Sequence, residues 1–106
     1  MPRINRSQKK RSFDEIRQDL RAHLPELRER YGVTYLGIFG SYVRGEQKKT
    51  SDVDVLVEFD RPGTLLDFIH LQNDLVDLLG VRVDLVEKDS LKPAIRPHVL
   101  GEVVPV

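Results

Sequence analysis

Apolar residues recur at Phe13, Ile16, Leu20, Leu24, Leu27 and Tyr31, in steps of three and four. That spacing predicts a helix with one buried face. Ser12 and Glu15 stand at capping-box separation at its start, and Gly32 suits a C-terminal stop. Pro25 lacks a backbone donor, so a kink or a split is expected there. Val33–Phe39 is rich in β-branched and aromatic residues and predicts a strand ended by Gly40. A polar connection over 41–51 leads to a second, valine-rich strand, Val53–Phe59. Arg61-Pro62-Gly63 is turn chemistry. Thr64 to Leu79 predicts a second helix, with Thr64 and Asp67 again at capping-box spacing. Its inner side is expected to carry Leu65, Phe68, Ile69, Gln72, Leu75, Val76 and Leu79. Gly80 closes it, and Val81–Glu87 predicts a third strand. Pro93, Pro97 and Pro105 restrict the rest of the chain to a short helix around Ala94–Leu100 and an extended tail over Glu102–Val106.

Helix, strand, strand, helix, strand, short helix implies an α/β (α+β) fold, a small mixed sheet packed with helices. The Phe59-to-Val81 connection holds a whole helix and is long enough for a parallel crossover. The first two strands can pair in either sense.

A chain of 106 residues, 40% hydrophobic and 32% charged, fits one domain with a modest core. It has no room to enclose a large substrate, so any substrate meets an open face or a partner completes the site. Lys+Arg and Asp+Glu both number 17, and this balance predicts neither nucleic acid nor membrane binding. The first eleven residues hold Arg3, Arg6, Lys9, Lys10 and Arg11 and no acid. They read as a flexible basic arm, solvated or serving as a contact arm, ahead of a domain over 12–106. With no cysteine, disulfides, zinc-thiolate sites and thiol catalysis are excluded, consistent with a cytoplasmic setting. No apolar run reaches the roughly 20 residues that span a bilayer, and no apolar segment follows the basic start as in a secretory signal.

The chemistry concentrates between Gly40 and Asp54. Asp52 and Asp54 lie two apart at the start of a strand, so both face one side. Two like charges on one strand face repel, and a cation that neutralises them relieves that repulsion. Carboxylate oxygens suit Mg²⁺, usually held by one or two carboxylates together with substrate phosphates. Asp84 shares its strand face with Arg82 and Val86. If its strand pairs beside Val53–Phe59, three carboxylates approach one another, a set able to hold two metal ions for phosphoryl displacement. Asp84 is then the candidate general base. Gly40-Ser41 follows a strand and precedes a helical turn, where glycine lets the backbone approach a phosphate. Arg44, Lys48 and Lys49 offer positive charge nearby, although Arg44 could equally pair with Glu46 or a strand acid. Taken singly, a Gly-Ser after a strand is an ordinary turn and an Asp-x-Asp a surface accident. His23, His70 and His98 show no metal-ligand spacing. Tyr42 reads as packed beneath the loop rather than as a stacking platform. Glu58 and Asp60 extend the Asp54 face too far along to take part.

Jointly, Gly40-Ser41, ten residues, then Asp52-Val53-Asp54 resembles the signature of the DNA polymerase β-like nucleotidyltransferase superfamily. The fuller run Phe39-Gly40-Ser41, Arg44-Gly45 and Ser51 to Val57, with Leu91-Lys92-Pro93 and a short apolar C-terminal tail, is similar to its minimal branch, over about residues 13–106. The resemblance implies binding of ATP and Mg²⁺, two ions, with Asp52, Asp54 and Asp84 as metal-binding and catalytic carboxylates. Gly40, Ser41 and Arg44 would contact the nucleotide. It further implies an antitoxin that attaches AMP to a tyrosine of a HEPN toxin in a hetero-oligomeric pair, with no direct nucleic acid role. Two alternatives remain beside it. One is a binding module that neutralises its partner by covering it. The other is transfer to a small hydroxyl compound, which generally needs an acceptor domain this chain lacks.

Overall fold

The computed structural model describes residues 11–60 and 64–106. Residues 1–10 of the basic arm and the expected Arg61-Pro62-Gly63 turn lie outside them. Arg11, assigned to that arm, is anchored: its guanidinium donates to the Leu79 carbonyl at 2.7 Å and pairs with Asp19 at 2.9 Å.

Helix α1 spans Phe13–Tyr31. Ser12 Oγ accepts from the Glu15 N–H while the Glu15 carboxylate accepts from the Ser12 N–H, and Gly32 ends the helix in the left-handed region. Of the kink or split expected at Pro25, the split does not occur: the helix runs through it. Pro25 and Arg21 are exposed, so water can satisfy the carbonyl that proline deprives of a partner.

Strand β1, Val33–Phe39, leads through the single-turn helix α2, Ser41–Arg44, to β2, Val53–Phe59. Helix α3, Leu65–Leu79, begins at a complete Thr64–Asp67 capping box and stops at Gly80. Its buried stripe is Leu71, Leu75 and Leu79, with Phe68 and Val76 partly buried. The predicted face is therefore corrected: Leu71 is core, whereas Leu65 and Ile69 are exposed. Strand β3 begins at Val83, two residues later than expected, and ends at Glu87. Gly80 lies in the left-handed region, and contact with β2 opens only where Val53 N–H meets the Arg82 carbonyl. A 3₁₀ turn at Lys88–Ser90 precedes α4, Arg96–Glu102, and β4, Val104–Pro105. Pro97 sits in the first turn of α4, where no backbone donor is missed. Part of the expected extended tail is thus a true edge strand, and Pro105 fits there because an edge needs no second ladder.

The sheet order is β3-β2-β1-β4, with β2–β3 parallel across the α3 crossover and the other pairs antiparallel. One face carries Leu36, Ile38, Val53, Val55, Val57, Val83 and Leu85 and is covered by α1 and α3. The opposite face holds a smaller cluster of Leu56, Leu91 and Val99, with Tyr35, Phe39, Val86 and Val103 around it. At Gly37 an added Cβ would meet Val103 at 2.5 Å, so the missing side chain lets the chain after α4 settle onto the sheet. Helix α4 covers only part of this second face. The rest carries the acids.

Candidate active site

Phe39, Asp54 and Asp84 form one row across three strands: Phe39 pairs with Asp54, and Asp54 pairs with Asp84. Parallel neighbours in register project to the same side, so Asp84 shares the face of Asp54. Their carboxyl groups lie close enough to interact through charge and a shared proton. Asp54 is half-buried and Asp84 exposed. Burial first, then the charge of Asp84 and its hydrogen bond, then Asp52, push the Asp54 pKa up to about 6, and Arg44 opposes the rise. Burial disfavours the charged form and so does a like neighbour.

The chain turns sharply against this carboxyl. Gly40 has φ 82° and ψ −152°, a region essentially restricted to glycine. A Cβ there would stand 2.0 Å from Asp54 Oδ2. Glycine is thus required twice, for its backbone conformation and for the close approach of backbone to carboxylate. Ser41 opens α2 directly beyond, half-buried, and Tyr42 is buried beneath, which removes it as a stacking platform. Arg44, at the far end of α2, donates to Glu46 and to Glu102. Lys48 and Lys49 are exposed on the following loop.

Asp52 is where geometry departs from expectation. Its charge reaches Asp54, but its carboxylate pairs with Arg82 at 2.9 Å. Arg82 also donates to the Thr50 carbonyl. Asp54 and Asp84 are brought together as register partners, while Asp52 is paired with Arg82. Accordingly, among the described residues no group of three or more acidic or histidine side chains stands ready to hold a metal ion. The donor chemistry nevertheless fits a hard cation: two neighbouring carboxyls, one made protonation-prone by burial and its like-charged neighbour, with a third paired to Arg82 close by. The histidines take no part. His70 and His98 are exposed, and His23 meets the Asp19 carbonyl one turn back. Glu58 pairs with Lys88 at 3.6 Å.

Glu102 was missed from the sequence. Its side chain is largely buried against Arg44, and a glutamate closing a short helix carries no pattern that flags it.

Comparison with known proteins finds similarity over most of the chain. The sequence pattern of the nucleotidyltransferase domain family matches residues 20–105. The chain is 57% identical over 93 residues to the protein adenylyltransferase MntA of Thermococcus cleftensis, covering 88% of this chain and 94% of that one. A solved structure assigned to the minimal nucleotidyltransferases superposes with TM-score 0.79 at 40% identity, covering 92% of this chain and 99% of that chain. A toxin–antitoxin complex solved with AMP-PNP superposes with TM-score 0.65 at 25% identity, over 88% of this chain and 70% of its counterpart. No helix among the described residues is long and apolar enough to cross a membrane.

Proposed function

Because the chain belongs to the nucleotidyltransferase domain family and is an enzyme of that class, we propose that it transfers AMP from ATP to a tyrosine hydroxyl of a partner HEPN toxin. It thereby acts as the antitoxin of a toxin–antitoxin pair in the cytoplasm. The observation that carries this reading is the Asp54–Asp84 pair on an open sheet face with Gly40 pressed onto it. The high identity to a protein adenylyltransferase and the likeness to a toxin–antitoxin complex holding AMP-PNP support the acceptor class.

The acceptor oxygen forms a bond to the α-phosphorus, the bond from that phosphorus to the β-bridging oxygen breaks, and pyrophosphate departs. Asp84, exposed beside Asp54, takes the proton of the attacking hydroxyl. Gly40 and Ser41 bring backbone close to the phosphates, and Arg44 adds a planar cation suited to phosphate oxygens. Mg²⁺ bound by Asp52, Asp54 and Asp84, as two ions, would supply charge neutralisation at the triphosphate. The open site suits a protein acceptor, because this chain leaves the second face of its sheet partly uncovered.

The test is co-expression with a candidate HEPN-type partner and mass spectrometry of that partner. A gain of one or more adenylyl groups, lost with Asp54→Ala, is expected. A tight complex whose partner is never modified would instead establish neutralisation by binding alone.

A further inference from the structure

Arg44 is held by two carboxylates that differ in kind. Glu46 stands two residues beyond it and is 63% exposed; Glu102 comes from α4, 58 residues away, and is 12% exposed. Nε of Arg44 donates to Glu46 at 2.9 Å, and Nη1 donates to Glu102. Glu102 is the last residue of α4, where the negative end of the helix disfavours a carboxylate. A largely buried acid at that end is unfavourable on both counts, so its placement does not serve the helix. The Arg44 guanidinium offsets it, with exposed His98 one turn back at 3.4 Å from the other oxygen. The pair also ties α2 to α4, the two elements that border the acids on the second sheet face.

We propose that Glu102 is a positioning residue for the triphosphate: it holds one edge of Arg44 in place, while Glu46 occupies on Nε the position that a phosphate oxygen takes when the nucleotide binds. This rests on the nucleotide-binding reading given above. A guanidinium carries five donors in a rigid plane, so one edge can stay on a carboxylate while another exchanges partners. The Glu46 backbone is held by its N–H to the Ser41 carbonyl at 2.9 Å, but its exposed side chain can swing into water. The Glu102 side chain is largely buried and has no such exit. Arg44 already acts on Asp54 electrostatically, which puts its charge within range of the acid pair.

The two acids therefore have opposite roles, and this separates positioning from simple electrostatics. Removing any negative charge beside an anion site should tighten anion binding. Positioning predicts the reverse for one of the two. The experiment is calorimetric titration of the full chain with a non-hydrolysable ATP analogue in Mg²⁺, for wild type, Glu46→Gln and Glu102→Gln. Glu46→Gln should bind several-fold tighter. Glu102→Gln should bind about tenfold weaker, the scale of one charge-assisted hydrogen bond to the ligand. If Glu102→Gln melts below the assay temperature, Glu102→Asp keeps the charge, shortens the reach and should also bind more weakly. Wild-type uptake of the analogue with equal or tighter binding by the tested Glu102 variant overturns the assignment alone. A wild-type chain that takes up no analogue overturns the nucleotide-binding reading and this assignment with it.

Discussion

Asp54 and Asp84 are direct partners across the parallel β2–β3 pair, and the charge of Asp84 raises the Asp54 pKa. Whenever no metal is bound, these like-charged neighbours repel, and that repulsion is where function and stability diverge. Asp54→Asn keeps the shape and removes the charge. Adenylyl transfer should fall by at least about a hundredfold, as expected when a group acting in the transition state is lost. The same variant should melt higher than wild type at pH 7.5 without metal, a stability–activity trade-off. Thermal melts and partner mass spectrometry read the two effects separately. A variant that is both less active and less stable would contradict the repulsion argument.

Stability should depend on pH with a definite sign. The folded pKa of Asp54, about 6, lies above its ordinary 3.8. The folded chain keeps a proton that the unfolded chain has released. This contribution is full below about 3.8 and is lost as pH rises through about 6. Because the group is only half-buried, solvent screening leaves roughly 1–2 kcal/mol. The stability gained by Asp54→Asn should therefore be small at pH 4 and greatest above pH 7. Denaturant titrations of both proteins across that window would show it; a constant difference would contradict it.

Gly40 and Gly45 provide a matched pair. Both have positive φ, 82° and 74°, so alanine at either should cost about 1–2 kcal/mol of backbone strain. Around Gly45 an added Cβ meets nothing within 4 Å, whereas at Gly40 it would overlap the Asp54 carboxyl. Gly45→Ala should lose stability and keep most activity. Gly40→Ala should lose more stability and nearly all activity. Equal activity in the two variants, measured at matched folded fraction, would sink the view that Gly40 is needed at the acid pair.

Much of this arrangement was legible from residue order. The capping boxes at Ser12 and Thr64, the glycines after α1 and α3, and the valine-rich β2 each encode their structure within a few residues. The Gly40–Asp54 spacing likewise marks the candidate site within one short stretch. Pairing across the sheet was less visible. Helix α3 has apolar residues at 65, 66, 68, 69, 71, 75, 76, 78 and 79, more than one face can bury. Periodicity alone could not tell that Leu71 turns inward and Leu65 and Ile69 outward; the position of the sheet decides. The same holds for Asp52. Alternation puts it on the face of Asp54, but its turn toward Arg82 depends on a neighbouring strand's register. The Arg44–Glu102 pair spans 58 positions and has no local signature at all.

That turn of Asp52 yields the last prediction. Arg82 is 71% exposed and pairs with Asp52 at 2.9 Å, so it holds by charge one of the three carboxylates assigned to the metal. A divalent cation must compete with this guanidinium. Exposed pairs of this sort contribute roughly 0.2–1 kcal/mol, which corresponds to at most about a fivefold change in affinity. Arg82→Ala should therefore tighten metal binding by up to about fivefold, read as the Mg²⁺ concentration that half-saturates the thermal shift. Asp52→Asn in the same background should abolish the gain, because the carboxylate released by Arg82 is then gone. Should Arg82→Ala weaken metal binding instead, the guanidinium would be acting with the metal and its substrate phosphates rather than against it, and Asp52 would have to reach the metal from its present position.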